Sequence, residues 1–197
     1  MKTYPRPLSL LVLFGTLLVT GCVTHIRLDQ TQNPPPAEAF SNFTHVEIKP
    51  IVLPSPYAGQ AANEKARRKI QDNVDADTRA FLGLWKKAPP ATDTARTLVI
   101  EPRITEIKFI NATSRVWAGA IAGSSAVVLS VTNSEKETGT VVARPVFYAR
   151  AQAMGGAFSF GATDNLMLTR VAKRFTDYLS ANYSRAVGGP TGAEPAK

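Results

Sequence analysis

The sequence predicts an α+β fold: a two-layer sandwich of one four-stranded mixed sheet with two helices on one face, in the order β-α-β-β-β-α. Three observations predict it. Apolar residues group or alternate with polar ones in strand-like runs at 44–52, 97–111, 126–131 and 140–153. Two stretches, 61–87 and 163–183, instead repeat apolar residues at helical spacing. Clusters of proline, glycine and small polar residues separate these runs. One sheet covered by two helices buries both kinds of pattern economically. The opening β-α-β order implies a parallel first pair joined by a right-handed crossover.

The chain starts with a leader. Lys2 and Arg6 make a short positive region, and Leu8 to Val19 is apolar except for Ser9, Gly15 and Thr16. A run of about a dozen residues is short of the roughly 20 that a spanning helix needs. Leu18-Val19-Thr20-Gly21-Cys22 resembles the bacterial lipoprotein box. The resemblance implies a signal peptide over 1–21, a diacylglycerol thioether on Cys22, cleavage before it and acylation of the new amine. Acyl chains contribute about 0.8 kcal/mol per buried methylene, so two or three chains on one residue hold firmly. Val23, not Asp, follows Cys22; by resemblance to sorting in double-membraned bacteria this places the lipid on the periplasmic face of the outer membrane.

Removing residues 1–21 from the 197 leaves 176, enough for one domain with tails. Lys2 and Arg6 leave with the leader, which takes the net charge from +8 to +6. That balance suits anionic headgroups or acidic cell-wall polymer. Nucleic acid is excluded as a partner because the mature chain leaves the cytoplasm. Cys22 is the only cysteine, so once it is acylated no disulfide forms and the core alone holds the fold.

Residues 22–42 read as a flexible tether, polar and carrying Asn33-Pro34-Pro35-Pro36, which favours an extended path. Some 20 residues at roughly 3 Å each would hold a domain about 50–60 Å from its anchor. A single domain is expected over 43–186 and a disordered tail over 187–197. Strand one, 44–52, turns Val46 and Ile48 to one face and puts His45 on the wet one. The helix from Ala61 to Lys87 carries the stripe Ala66, Ile70, Val74, Asp77 or Thr78, Phe81 and Trp85, widened by Leu82 and Leu84. Lys65, Arg67, Arg68 and Lys69 mark its wet side. They read either as a contact for an anionic surface or as an ordinary charged face near Glu64 and Asp72, and the second is expected. Gly83 weakens the last turns and Pro89-Pro90 ends the helix.

The strand from Thr97 to Asn111 changes apolar parity after Ile104, so a bulge is expected near Thr105. Pro102 cannot donate to a ladder, so the strand must have an unpaired side there, or bend. No charge falls between Val116 and Ser134, and Gly119 and Gly123 have the small-xxx-small spacing of helices packed in lipid. A segment against lipid or another copy is one reading. A glycine-rich connection into the buried strand Ala126–Val131 is the expected one, because five hydroxyl residues and an asparagine lower its hydropathy. Trp117 would be its exposed anchor. A polar turn over 133–139 leads into the strand Thr140–Ala153 as a hairpin, interrupted or edged at Pro145. Phe158 and Phe160 are expected over the core. Thr163 is expected to cap the last helix, whose stripe is Leu168, Val171, Phe175, Tyr178, Leu179 and Asn182.

The segment from Leu98 to Tyr183 resembles an uncharacterised family of bacterial lipoproteins built on a domain of unknown function. The matching residues are Leu98-Val99-Ile100, Arg115 with Gly119 and Gly123, Ala126 to Val131, the Thr138-Gly139 turn and the helix containing Asp164. The resemblance implies a small α/β domain, similar in style to those of curli-secretion lipoproteins and the Tol-system periplasmic protein. No activity comes with it.

The parts of common catalytic sites are missing. There are two histidines, His25 and His45, neither in a zinc-binding pair, and no nucleophile elbow, dinucleotide loop or phosphate loop. Glu101 and Glu106, on one strand, are the only pair singled out for carboxylate chemistry. No catalytic residue, metal or cofactor is assigned. The expected function is a non-catalytic, lipid-anchored domain that binds an envelope protein or peptidoglycan, with an oligomeric secretion or pore accessory component as the first alternative and a carboxylate-dependent hydrolase as the disfavoured second.

Overall fold

The computed structural model describes residues 26–86, 95–110, 124–151 and 162–193. In chain order the elements are β1 (Gln32–Asn33), a 3-10 turn (Phe40–Asn42), β2 (His45–Ile48), α1 (Ala61–Trp85), β3 (Thr97–Lys108), β4 (Ala126–Glu135), β5 (Val141–Ala143), β6 (Val146–Arg150), α2 (Ala162–Ala181) and β7 (Gly189–Pro190). The fold is α+β, with a mixed sheet and two helices among the described residues. The sheet runs β2-β3-β4, and β5 and β6 share the far side of β4. β2 and β3 are parallel, and β4 is antiparallel to all its neighbours.

The breaks in the sheet fall where its prolines are. The amides of Lys49 and Val52 donate to the carbonyls of Ile100 and Pro102, so the even residues of β3 turn their backbone toward β2 there. Pro102 has no N–H to return on that side, and the β2 ladder lapses between Ile48 and the isolated bridge at Val52. Pro145 divides the strand expected over 140–153 into β5 and β6, although its carbonyl still accepts from the Val131 amide at 2.9 Å. The bulge lies where the parity changed: the β3–β4 register shifts between Ile104 and Glu106, so Thr105 is the extra residue.

The shift keeps Ile104 and Ile107 on the same, helix-covered face. There the stripes of α1 and α2 join Ile100, Leu129 and Phe147 in one core. The Phe147 ring lies 5.8 Å from Phe175 and 5.7 Å from Tyr178, both on α2. Its neighbour Tyr148 points the other way by strand alternation. It forms a second, smaller cluster with Ala126 and Val128, which Ile26, Leu28 and Ala193 cover.

That cover corrects two expectations. From Ile26 on, the segment expected as a tether is folded onto the domain as a strap. Asn33, Phe40 and Phe43 are buried in it. Pro34 lies under the Tyr178 hydroxyl, which donates to its carbonyl at 3.2 Å. The tail expected to be disordered from Val187 instead pairs β7 with β1 antiparallel and buries Thr191. The domain therefore extends beyond 43–186 at both ends. The path through Pro34–Pro36 is indeed irregular, but buried side chains at either end of it, Asn33 and Phe40, hold it down.

The helix ends also move slightly. α1 stops at Trp85, and α2 begins at Ala162, one residue before the expected cap. Residues 1–25, 87–94, 111–123, 152–161 and 194–197 lie outside the described residues, and with them Cys22, His25, Pro89-Pro90, Arg115, Trp117, the Gly119/Gly123 pair, Phe158 and Phe160.

Candidate envelope-contact surfaces

Three groups of residues are candidates: the strap and its latches, the basic stretch of α1, and the charged face of the sheet.

The strap closes the free edge of β6. Asn33 uses both ends of its amide on Val146: Nδ2 donates to the carbonyl at 2.9 Å, and Oδ1 accepts from the amide at 2.8 Å. The Tyr148 amide donates to the Thr191 carbonyl at 2.8 Å, and Arg174 Nη1 donates to the Tyr148 carbonyl at 3.0 Å. Burial lowers the affinity of the Arg174 guanidinium for its proton. The four outward backbone groups of Val146 and Tyr148 are thus taken, three by the chain's two ends and one by α2. Gly188 and Gly192 make this approach feasible: both have positive φ, and a Cβ would strike Asn33 and Pro34 at the first and Arg174 at the second.

Asn182 latches the strap to the end of α2. Its Nδ2 donates to Tyr178 and Gly188 carbonyls at 2.8 and 3.0 Å, and its Oδ1 accepts the Val187 and Gly188 amides, both at 2.8 Å. Its own carbonyl takes the Phe40 amide at 3.0 Å. Phe40 enters the core beside Tyr178, with ring centroids 6.2 Å apart. Burial pushes the Tyr178 hydroxyl up to about 12.

Arg96 clamps the strap to the sheet. It holds Glu38 with two N–H groups at 2.7 and 2.9 Å, Glu135 with Nε at 2.5 Å, and lies over the Phe43 ring at 4.4 Å. The Arg96 hydrogen bonds are the main cause that keeps both carboxyls below their usual range. Trp85 completes the grip, donating from Nε1 to the Phe43 carbonyl at 2.9 Å. None of these contacts stood out in the sequence. One large apolar residue in the expected tether, Phe40, with Phe43 just beyond it, was the signal available.

The basic stretch of α1 divides into two kinds of residue. Arg67 is half-buried and pairs with Glu64, Nε to Oε2 3.1 Å, which lowers the Glu64 affinity for its proton. Lys65, Arg68 and Lys69 are exposed. They lie on the side of α1 away from the stripe that enters the core.

On the sheet, Glu101 and Glu106 are both exposed and occupy register positions opposite Thr132 and Val128. They form no enclosed carboxylate pair. His45 is exposed at the first position of β2. Among the described residues no group of three or more His, Cys, Asp or Glu side chains gathers as metal ligands would. No helix among them is long and apolar enough to cross a membrane. Of the uncharged stretch 116–134, the part from Ala126 on is the interior strand β4, flanked by β3 and β6, and is not open to lipid. Asn133 in that strand is fully buried, and neither side-chain polar atom has a hydrogen-bond partner.

No protein-family model and no curated protein matches the chain. Solved structures do. A leucine-to-methionine variant of the PelC dodecamer of Paraburkholderia phytofirmans is 14% identical over 71% of this chain and 90% of its own, with a TM-score of 0.38. A Xanthomonas campestris protein of family DUF330 is 14% identical over 79% and 92%, with a TM-score of 0.37. A candidate lipoprotein of Caulobacter crescentus is 10% identical over 74% and 93%, with a TM-score of 0.30. These are likenesses at low identity, and no activity or partner passes from them to this chain.

Proposed function

We propose that this chain is a non-catalytic domain of the cell envelope, anchored through lipid on Cys22 at the periplasmic face of the outer membrane, that binds an envelope protein or peptidoglycan. The observation that carries the reading is the Leu18-Val19-Thr20-Gly21-Cys22 box behind an apolar leader, with the only cysteine of the chain at the acylation position. The domain behind it supports the binding part. Its most conspicuous exposed feature is the cationic group Lys65, Arg68 and Lys69 on a helix, suited to an acidic partner.

Labelled palmitate fed to cells making the full chain tests the anchor. Label is expected in the wild type and absent from Cys22→Ser, with the wild type fractionating with outer membranes. Label in both variants, or in neither, overturns it. Crosslinking in the same cells tests the binding role, which fails if neither an envelope protein nor peptidoglycan is recovered with the intact protein.

A further inference from the structure

The strap changes what a lipid on Cys22 would mean, because almost no chain is left between them. Only residues 23–25 separate Cys22 from Ile26, where the chain is already packed on the sheet. Four residue steps span at most about 14 Å when fully extended. The domain cannot then stand off from the bilayer that holds Cys22.

The same limit fixes which side faces lipid. Ile26 lies on the sheet face that the helices do not cover: the Tyr148 hydroxyl donates to its carbonyl at 3.2 Å, and it packs with Ala126 and Val128. α1 and α2 cover the opposite face. Between the exit point and the outer side of α1 lie the sheet and a helix layer about 10–12 Å thick. A leash this short allows tilting but does not allow the domain to turn over.

We infer that the strap-covered sheet face is a membrane-docking surface, seated on the headgroups of the bilayer in which the Cys22 lipids are inserted. The inference rests on the lipidation proposed above. Charge agrees with it. Exposed Arg27 sits on the strap itself. Lys108 and Arg150 occupy the register positions either side of Ala126, at the margin of the small apolar cluster. Strand alternation puts Arg103, Glu101 and Glu106 of β3 on the same face, and Asp29 lies on the strap, so the cations are in slight excess, which suits a bilayer containing anionic lipid. A corollary concerns Lys65, Arg68 and Lys69. They point away from the anchoring bilayer, so the acidic partner they suit is not its lipid.

Site-specific labelling of the full lipidated protein in phosphatidylethanolamine–phosphatidylglycerol vesicles tests this. After acylation the chain has no free thiol, so one introduced cysteine carries one nitrobenzoxadiazole label. Arg27→Cys and Glu106→Cys report from the strap-covered side, and Lys69→Cys and Lys173→Cys from the helix side. Headgroup-nitroxide lipid is expected to quench the first pair at least threefold more than the second. Equal quenching at all four sites, or stronger quenching on the helix side, overturns the docking surface. Mass spectrometry of the same samples separates the two ideas. Acylated protein with the wrong quenching pattern refutes the orientation alone, whereas protein without acyl chains refutes the anchor and the orientation with it.

Discussion

The strap and the basic stretch of α1 invert each other. By sequence the strap is polar, proline-rich and without period, and α1 carries four cations within five residues. By structure the strap is fastened through buried side chains and the β6 edge, while three of the four α1 cations face solvent. A conspicuous charge run thus contributes little to the fold, and an inconspicuous linker contributes much. The two regions should respond oppositely to substitution.

The largest effect is expected at Phe40. Its side chain is 0% exposed in the main core, and truncation of a buried phenylalanine costs about 3–5 kcal/mol. Phe40→Ala should lower the denaturation midpoint accordingly. It should also open residues 26–43 to limited proteolysis before the rest unfolds. A midpoint within about 1 kcal/mol of wild type would mean that the strap is not part of the cooperative unit.

That outcome turns on why the sequence showed one part of the molecule and hid the other. Periodicity carries the two helices and the sheet, because a repeated apolar position has one interpretation once its period is known. It placed Ile70 and Val74, Val171 and Phe175, and even the bulge at Thr105, within the observed elements. The strap has no period. Its hold comes from long-range contacts of single residues, such as Asn33 with Val146 and Glu38 with Arg96, which lie 113 and 58 positions apart. No local pattern encodes a pairing of that kind. The tail was hidden for the same reason: Gly188 and Gly192 look like ordinary chain-end glycines until their neighbours are known.

Two buried asparagines sharpen the comparison further, with opposite signs. Asn182 has all its amide groups engaged, and its loss would strand the Val187 and Gly188 amides. Asn182→Ala should destabilise by about 2–3 kcal/mol and loosen the tail. Asn133, equally buried, engages no hydrogen-bond partner. Asn133→Leu should therefore stabilise by about 1–2 kcal/mol. Chemical denaturation of both variants checks the pair, and two losses of similar size would contradict the difference drawn between them.

A smaller effect is expected at Arg96, whose pairs with Glu38 and Glu135 lie near the surface. Its clearer signature is in pH. Both carboxyls are held below their ordinary range in the folded state, so the unfolded chain binds more protons there. The stabilisation is present above the unfolded carboxylate value and is lost as pH falls through the range below about 4.5. Arg96→Met should flatten that acid limb relative to wild type. Parallel limbs in thermal scans from pH 6 to pH 3 would show that the clamp does not couple the strap to the sheet.

The smallest effect on stability, and the most telling for function, is expected at the exposed cations. Lys65→Gln, Arg68→Gln and Lys69→Gln combined leave the Arg67–Glu64 pair and the buried stripe intact. Exposed substitutions of this kind stay within about 0.5 kcal/mol each. If these side chains meet an acidic envelope partner, the triple variant should fold and anchor as wild type yet lose crosslinks to that partner. The loss should be matched in wild type by raising salt, because exposed charge contacts are screened over about 8–10 Å at physiological ionic strength. Undiminished crosslinking would move the partner's site elsewhere, whereas a loss of anchoring with crosslinking retained would place these cations against lipid and reverse the assignment of the two faces.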